Sequence, residues 1–258
     1  MTRSHRVRTR VVWASAILAI AGLMAPRAQA ATIYWNVTTG TWADILAWSA
    51  TLGGSPGTVP TSADVAFFSA SPILTSPTVA LNADTVIGGL QFGAGASGTT
   101  LFQSDGTPRT LTIGTSGIVL DAGSTQNVVI GGTAVGAALT LQLDGSQTWT
   151  NNSAGTLTLV NNVQRTGTDG TNRTLTLGGS GFMIFSGTIV NGGTAGSLAL
   201  SKVGSGTLQL SGSNTFSGGV SLSQGTIQVG SATALGTGLL TWTGGKLSSS
   251  SNTGYTLA

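Results

Sequence analysis

The chain has no cysteine and no glutamate, and its single histidine is His5. Charged residues make up only 7% of the sequence, and aromatic residues 6%. Each scarcity excludes a class of chemistry. Without cysteine there are no disulfides, so an exported chain of this composition must hold together through its core and its hydrogen-bond ladders. Without a histidine beyond residue 5, a Ser-His-Asp triad cannot be assembled, and a zinc or transition-metal site lacks its usual ligands. Basic residues are too few and too scattered for a nucleic-acid face: after residue 30 only Arg109, Arg165, Arg173, Lys202 and Lys246 remain.

What is present begins with an export signal. Arg3, Arg6, Arg8 and Arg10 precede an apolar run from Val11 to Met24, followed by Ala28, Gln29 and Ala30. A basic start, a short apolar run and a small-x-small site make a secretory signal peptide over residues 1–30, with cleavage expected before Ala31. The run is shorter than the roughly 20 residues a spanning helix needs, and Pro26 and Arg27 follow it, which disfavours an uncleaved anchor. Removal of the leader leaves five basic and seven acidic residues, a formal charge of −2, so the high sequence pI belongs to the leader. The mature chain is expected to carry no membrane-spanning segment and no nucleic-acid partner.

Glycine is abundant, with 40 residues, and so are Thr and Ser. Between the glycines run short segments of apolar-polar alternation: TVIGGLQF, RTLTIG, ALTLQL, GTLTLV, RTLTLG, GTLQLSG and GTIQVG. Period-two alternation closed by Gly, Ser or Asn every eight to twelve residues describes half-buried strands, and leaves no room for helices. One such strand cannot bury its apolar face alone, whereas stacked coils can. Two or three strands per turn imply a rung of about 20 residues, and roughly nine rungs from residue 81 onward would make a rod on the order of 40 Å long. The expected fold is all-β: a parallel β-helix, or β-solenoid, over residues 81–258, preceded by an aromatic-rich N-terminal cap over residues 31–80. Tyr34, Trp35, Trp42, Trp48, Phe67 and Phe68 supply the cap, because the first rung would otherwise show apolar cross-section and strand edges to water. Pro72 and Pro77 suggest an extended connection between the two parts. The alternative is an antiparallel β-sandwich, kept open by the hairpin-favouring Asp105-Gly106, Asp144-Gly145 and Asp169-Gly170.

Residues 198–238 carry a more specific signal: Lys202, Gly204, the GTL at 206–208, Gly212, Asn214, Thr215, Phe216, Gly218, Gly219, the GTI at 225–227 and the ALG at 234–236. In this order they resemble the autotransporter-associated β-strand repeat. The resemblance implies a secreted or surface-exposed passenger built as a right-handed parallel β-helix, with the repeat as scaffold and no catalytic residue to carry over. Val220 departs from the family, which usually has Thr there; this affects only a turn flank. Residues 32–100 resemble, more loosely, the region often found ahead of such repeats, through Trp35, Gly40, Trp42, Trp48, Asp64, Phe67 and IGGLQF at Ile87. An autotransporter would continue into a membrane barrel, and nothing after Lys246 has that pattern.

Several motifs invite chemistry and are weak. GAGASG at Gly93 fits a dinucleotide fingerprint, but TTLFQS after it reads as strand where a helix is required. Parallel β-helices include polysaccharide lyases and glycosidases, which need two carboxyls about 5 to 10 Å apart. Asp84 with Asp105, or Asp105 with Asp121, are spaced to meet on neighbouring rungs. Asn36, Asn151 and Asn172 head glycosylation sequons expected by chance in turns rich in Thr and Asn. The leading expectation is therefore a non-enzymatic scaffold or adhesive passenger fragment, exported to the cell surface, without catalytic, cofactor or metal residues. Its expected partners are cell-surface glycans or other cell-envelope proteins. A β-helix polysaccharide-active enzyme and a carbohydrate-binding surface protein using the Trp-rich region are the alternatives.

Overall fold

The structure, a computed structural model, describes residues 30–69, 76–132, 138–167 and 169–251. All but Ala30 of the expected leader, together with Pro72 and the end of the chain from residue 252, lies outside the described residues. Strands are short and their burial alternates, as in Thr207–Leu210 and Thr226–Val229, where Leu208, Leu210, Ile227 and Val229 point inward and Gln209 and Gln228 outward. Each inward face is covered by the opposing walls of the same coil, so two-residue periodicity alone decides which side chains meet.

The chain winds through three walls per turn. The first wall belongs to a sheet that ends in Arg173–Gly178, Leu198–Lys202, Val220–Leu222 and Leu240–Trp242. The second is a nine-stranded sheet from Thr39–Thr41 to Lys246–Ser249. The third wall is thinner: Leu139–Leu143 pairs with Val163–Arg165, which continues as a single bridge from Val163 to Ile189. In two early coils one strand serves two walls. Thr85–Phe92 and Arg109–Leu120 turn the corner without ending, with a register shift between Ile87 and Gly89. Gly117 makes that corner at φ +68, and a Cβ there would overlap the Thr148 carbonyl.

All pairings between named strands are parallel except Trp35 with Trp48, so among the described residues the architecture is a β-solenoid and not a sandwich. The Asp-Gly dipeptides at 105, 144 and 169 lie at corners between parallel strands, not at hairpins. The rung differs from the expected one. Ile118 stacks on Trp149, Gln147 on Leu175, Leu175 on Leu200 and Leu200 on Val220, so the advance per coil falls from 31 residues through 28 and 25 to 20. Because early coils spend extra residues in corners, the second wall has seven strands, not nine, from Thr99–Ser104 onward. Nine strands at about 4.8 Å make a ladder roughly 40 Å long.

The aromatic-rich segment is itself wound into the coil. Thr32–Trp35 pairs in parallel with Val65–Phe68, which pairs with Thr85–Phe92. Trp48–Ser49 closes the outer edge of Thr32–Trp35 in antiparallel fashion. Trp35, Trp42 and Trp48 are buried, with centroids 4.8 Å apart for Trp35 and Trp48 and 4.8 Å for Trp42 and Trp48. The Trp48 indole N–H donates to the Trp42 carbonyl at 2.8 Å. These rings fill the first coils, and Phe68 links them to Phe92 and Phe102.

Candidate functional site

The two coils between residues 198 and 238 show why their glycines, lysine and asparagine are needed. Leu198, Leu200 and Lys202 share one parity, so Lys202 points into the interior behind Leu200 and is 3% exposed. Its ammonium donates to the Val203 carbonyl at 2.7 Å and the Gly204 carbonyl at 2.8 Å, closing the corner from inside. Gly204, at φ +72, sits where a Cβ would press on the Gly179 carbonyl of the previous coil, and Gly206 meets the Gly181 carbonyl in the same way. Backbones stack directly on backbones at these corners, and a side chain would part them. On the third wall, Asn214 is buried: its Oδ1 accepts the Ile189 N–H at 2.8 Å and its Nδ2 donates to the Ala234 carbonyl at 2.6 Å. One side chain thus ties three successive coils. Phe216 fills the interior beside it.

Val220 is not a turn-flank residue. It opens the strand Val220–Leu222, is 3% exposed, and stacks between Leu200 and Leu240. A valine there adds apolar surface to the core.

Burial pushes the Lys202 amine down to about 8 from its ordinary value of 10.5. Between these two values the unfolded chain holds more protons than the folded one, so this lysine makes stability rise with pH across that window, by up to about 1.4 kcal/mol per pH unit. Below pH 8 both states are protonated and the dependence vanishes. Urea midpoints measured from pH 7.5 to 10.5 are expected to climb in the wild type, and Lys202→Met is expected to remove that climb. Equal slopes in both proteins would contradict the assignment.

The acidic residues that the sequence offers as a pair each have partners of their own. Asp105 accepts Arg109 Nε at 3.0 Å and Nη2 at 2.7 Å, and this pairing holds its carboxyl below the usual range. Asp84 faces the same guanidinium and accepts the Thr110 N–H at 2.8 Å. Asp121 is engaged elsewhere, by the Gln91 amide at 2.9 Å. Asp169 is held low by the Thr171 N–H and lies against Arg165 and Arg173 at 3.5 and 3.4 Å. Burial pushes Asp64 up, but hydrogen bonds from Thr61 and Ala31 outweigh it and leave it lowered. Every described carboxyl whose ionisation is shifted is therefore shifted down, the opposite of what a general acid requires.

Other sequence candidates resolve into structural roles. Residues 93–98, GAGASG, make a corner that leads into the strand Thr99–Ser104. Asn151 is buried and donates to the carbonyls of Gly155 and Phe182, both at 2.9 Å. Asn172 accepts the Ser197 N–H at 2.9 Å across a corner. The buried Trp35, Trp42 and Trp48 cannot present a ring face to a sugar, which corrects the carbohydrate-platform alternative for that region. Other rings are accessible: Tyr34 and Phe67 meet edge to face at 5.2 Å on the first wall, Phe182 stands outward on the second, and Trp242 is exposed at the last coil of the first wall. Parity within FMIF could have identified Phe182, since Met183 and Phe185 take the inner positions.

Residues 200–229 match the model of the passenger-associated-transport-repeat family. The match runs from the inward Leu200 through the Lys202 corner and Asn214 to Val229, about one and a half coils of the solenoid. Comparison with curated proteins and with solved structures finds no match.

Proposed function

We propose that the chain is an exported, non-enzymatic scaffold of the autotransporter-passenger kind, displayed at the cell surface, where its outer faces adhere to cell-surface glycans or other envelope components. The observation that carries this reading is the position of the matched repeat. It lies in ordinary coils in register with those before them, sharing both main walls, which supports reading the whole solenoid in the light of that repeat. Its mechanism is mechanical: backbone ladders and stacked Leu, Ile and Val set the rod, and Thr, Ser and Gln occupy the outside. Among the described residues, no helix is long and apolar enough to cross a membrane.

Location is tested by protease treatment of intact cells, with loss of the protein from the surface expected, and by sequencing the amino terminus, expected at Ala31. Retention inside the cell with residues 1–30 attached would reject the export reading. For the enzymatic alternative, purified protein is expected to release no reducing ends and no unsaturated uronides from neutral or acidic polysaccharides. Asp105→Asn is expected to leave the thermal midpoint nearly unchanged, because a surface ion pair contributes little. Turnover that disappears in Asp105→Asn would replace the scaffold reading with a hydrolase or lyase.

A further inference from the structure

Alternation on the second wall sets two outward columns of side chains, one residue per coil. The first runs Thr156, Phe182, Thr207, Thr226; the second runs Thr158, Ile184, Gln209, Gln228. Phe182 breaks a column otherwise made of threonine. Its ring is half-buried at the edge of a shallow cavity of about 270 Å³, lined with Ser180, Gly181, Thr207 and Gln228. The lining comes from three successive coils, through Phe182, Thr207 and Gln228. Neither column carries a charge as far as Gln228; Lys246, on the next coil, is the first.

We infer that this strip is a binding site for a neutral, extended, β-linked polysaccharide lying along the axis, with Phe182 as the ring against which one sugar stacks. This deepens the adhesive reading above and rests on it. An aromatic face meets the axial C–H groups of a pyranose, and a few convergent polar groups fix its orientation. Here the Gln228 amide offers two donors and an acceptor, and the Thr207 and Ser180 hydroxyls offer both. Coils repeat at about 4.8 Å, close to the advance per sugar in an extended β-linked chain, so successive sugars meet successive coils in similar surroundings. Between Thr156 and Gln228 the strip offers no cation, and the single Lys246 one coil beyond Thr226 is too little to hold an acidic polysaccharide, a nucleic acid or an anionic lipid, which bind through several basic groups. A protein partner would need a broader apolar centre than one ring and one isoleucine supply.

The test is affinity electrophoresis of the whole exported chain in native gels containing xyloglucan, mixed-linkage β-glucan or, as the acidic control, polygalacturonate. Retardation by at least one neutral β-glucan and none by polygalacturonate is the expected result. Phe182→Ala is expected to weaken retardation tenfold or more, Gln228→Ala several-fold, and Phe182→Trp to preserve it. Circular dichroism and thermal midpoints of the three variants are expected to match wild type, since both positions face outward. No retardation by any neutral polysaccharide, or equal retardation of Phe182→Ala, overturns the site. So does binding confined to polygalacturonate. Surface display without glycan binding would sink this site and leave the scaffold; glycan binding by a chain retained inside the cell would do the reverse.

Discussion

Phe68→Ala is expected to destabilise the protein by about 3–5 kcal/mol, the usual cost of emptying a large buried aromatic site. Phe68 is 1% exposed and sits among four rings: Phe92 stacked at 5.1 Å, Phe102 at 5.3 Å, Trp48 at 5.9 Å and Trp35 at 6.0 Å. Each aromatic pair adds roughly 0.5–1.5 kcal/mol beyond area burial, although losses at one shared ring do not sum. The neighbours cannot close the space, because Trp35 and Trp48 are fixed by strand pairing with each other and Phe92 lies on the next coil. In a solenoid each coil contacts only its neighbours, so the damage is local. Hydrogen exchange followed by mass spectrometry is expected to show faster exchange in peptides covering residues 32–104 and unchanged protection in 198–229. Uniform loss along the chain would mean that the coils unfold as one unit.

Asn214→Ala is expected to cost on the order of 2–5 kcal/mol, more than its size suggests. The asparagine replaces a strand on the third wall, where regular pairing has thinned to a single bridge at Ile189. Removing it strands the Ile189 N–H and the Ala234 carbonyl in the interior, each costing about 1–3 kcal/mol when left unpaired. Asn214→Asp keeps the acceptor, loses the donor and buries a charge, so it is expected to be no better. Ser213→Ala, one residue away and outward-facing, is expected to be neutral. Urea melts of the four proteins decide the point; near-identical midpoints for Asn214→Ala and Ser213→Ala would show that water or backbone shifts replace the side chain.

The strands and their facing were legible because two-residue alternation is a local property. LALSK, TLQL and TIQV each declare an inner and an outer side without help from the rest of the chain. Coil length was not legible, since the partner of Leu175 is set by how many residues the intervening corners consume. For the same reason the nine-rung estimate overshot. Burial of Trp42 agrees with the aromatic cap read from the sequence, whereas Val220 looks like a turn flank until the opposing walls close on it. Lys202 was visible as a family position, but its role depends on two carbonyls brought under it by the Gly204 corner. Asp84 and Asp105 did come to one place, as their spacing suggested. Arg109 lies with them and pairs with Asp105, so the two carboxyls share one cation. Phe182 was passed over because a Phe in FMIF reads as core until parity is counted.

The shortening of the coils from Ile118 onward gives the carboxyl-terminal half of the ladder a graded store of length. Pulled along its axis, a parallel ladder loses its hydrogen bonds one coil at a time, in the manner of a zipper. A coil of 31 residues releases about 100 Å of extended chain and one of 20 residues about 70 Å. Tension is the same in every coil of such a rod, so the order of yielding follows the strength of each coil, while the length released at each step is written in its corners.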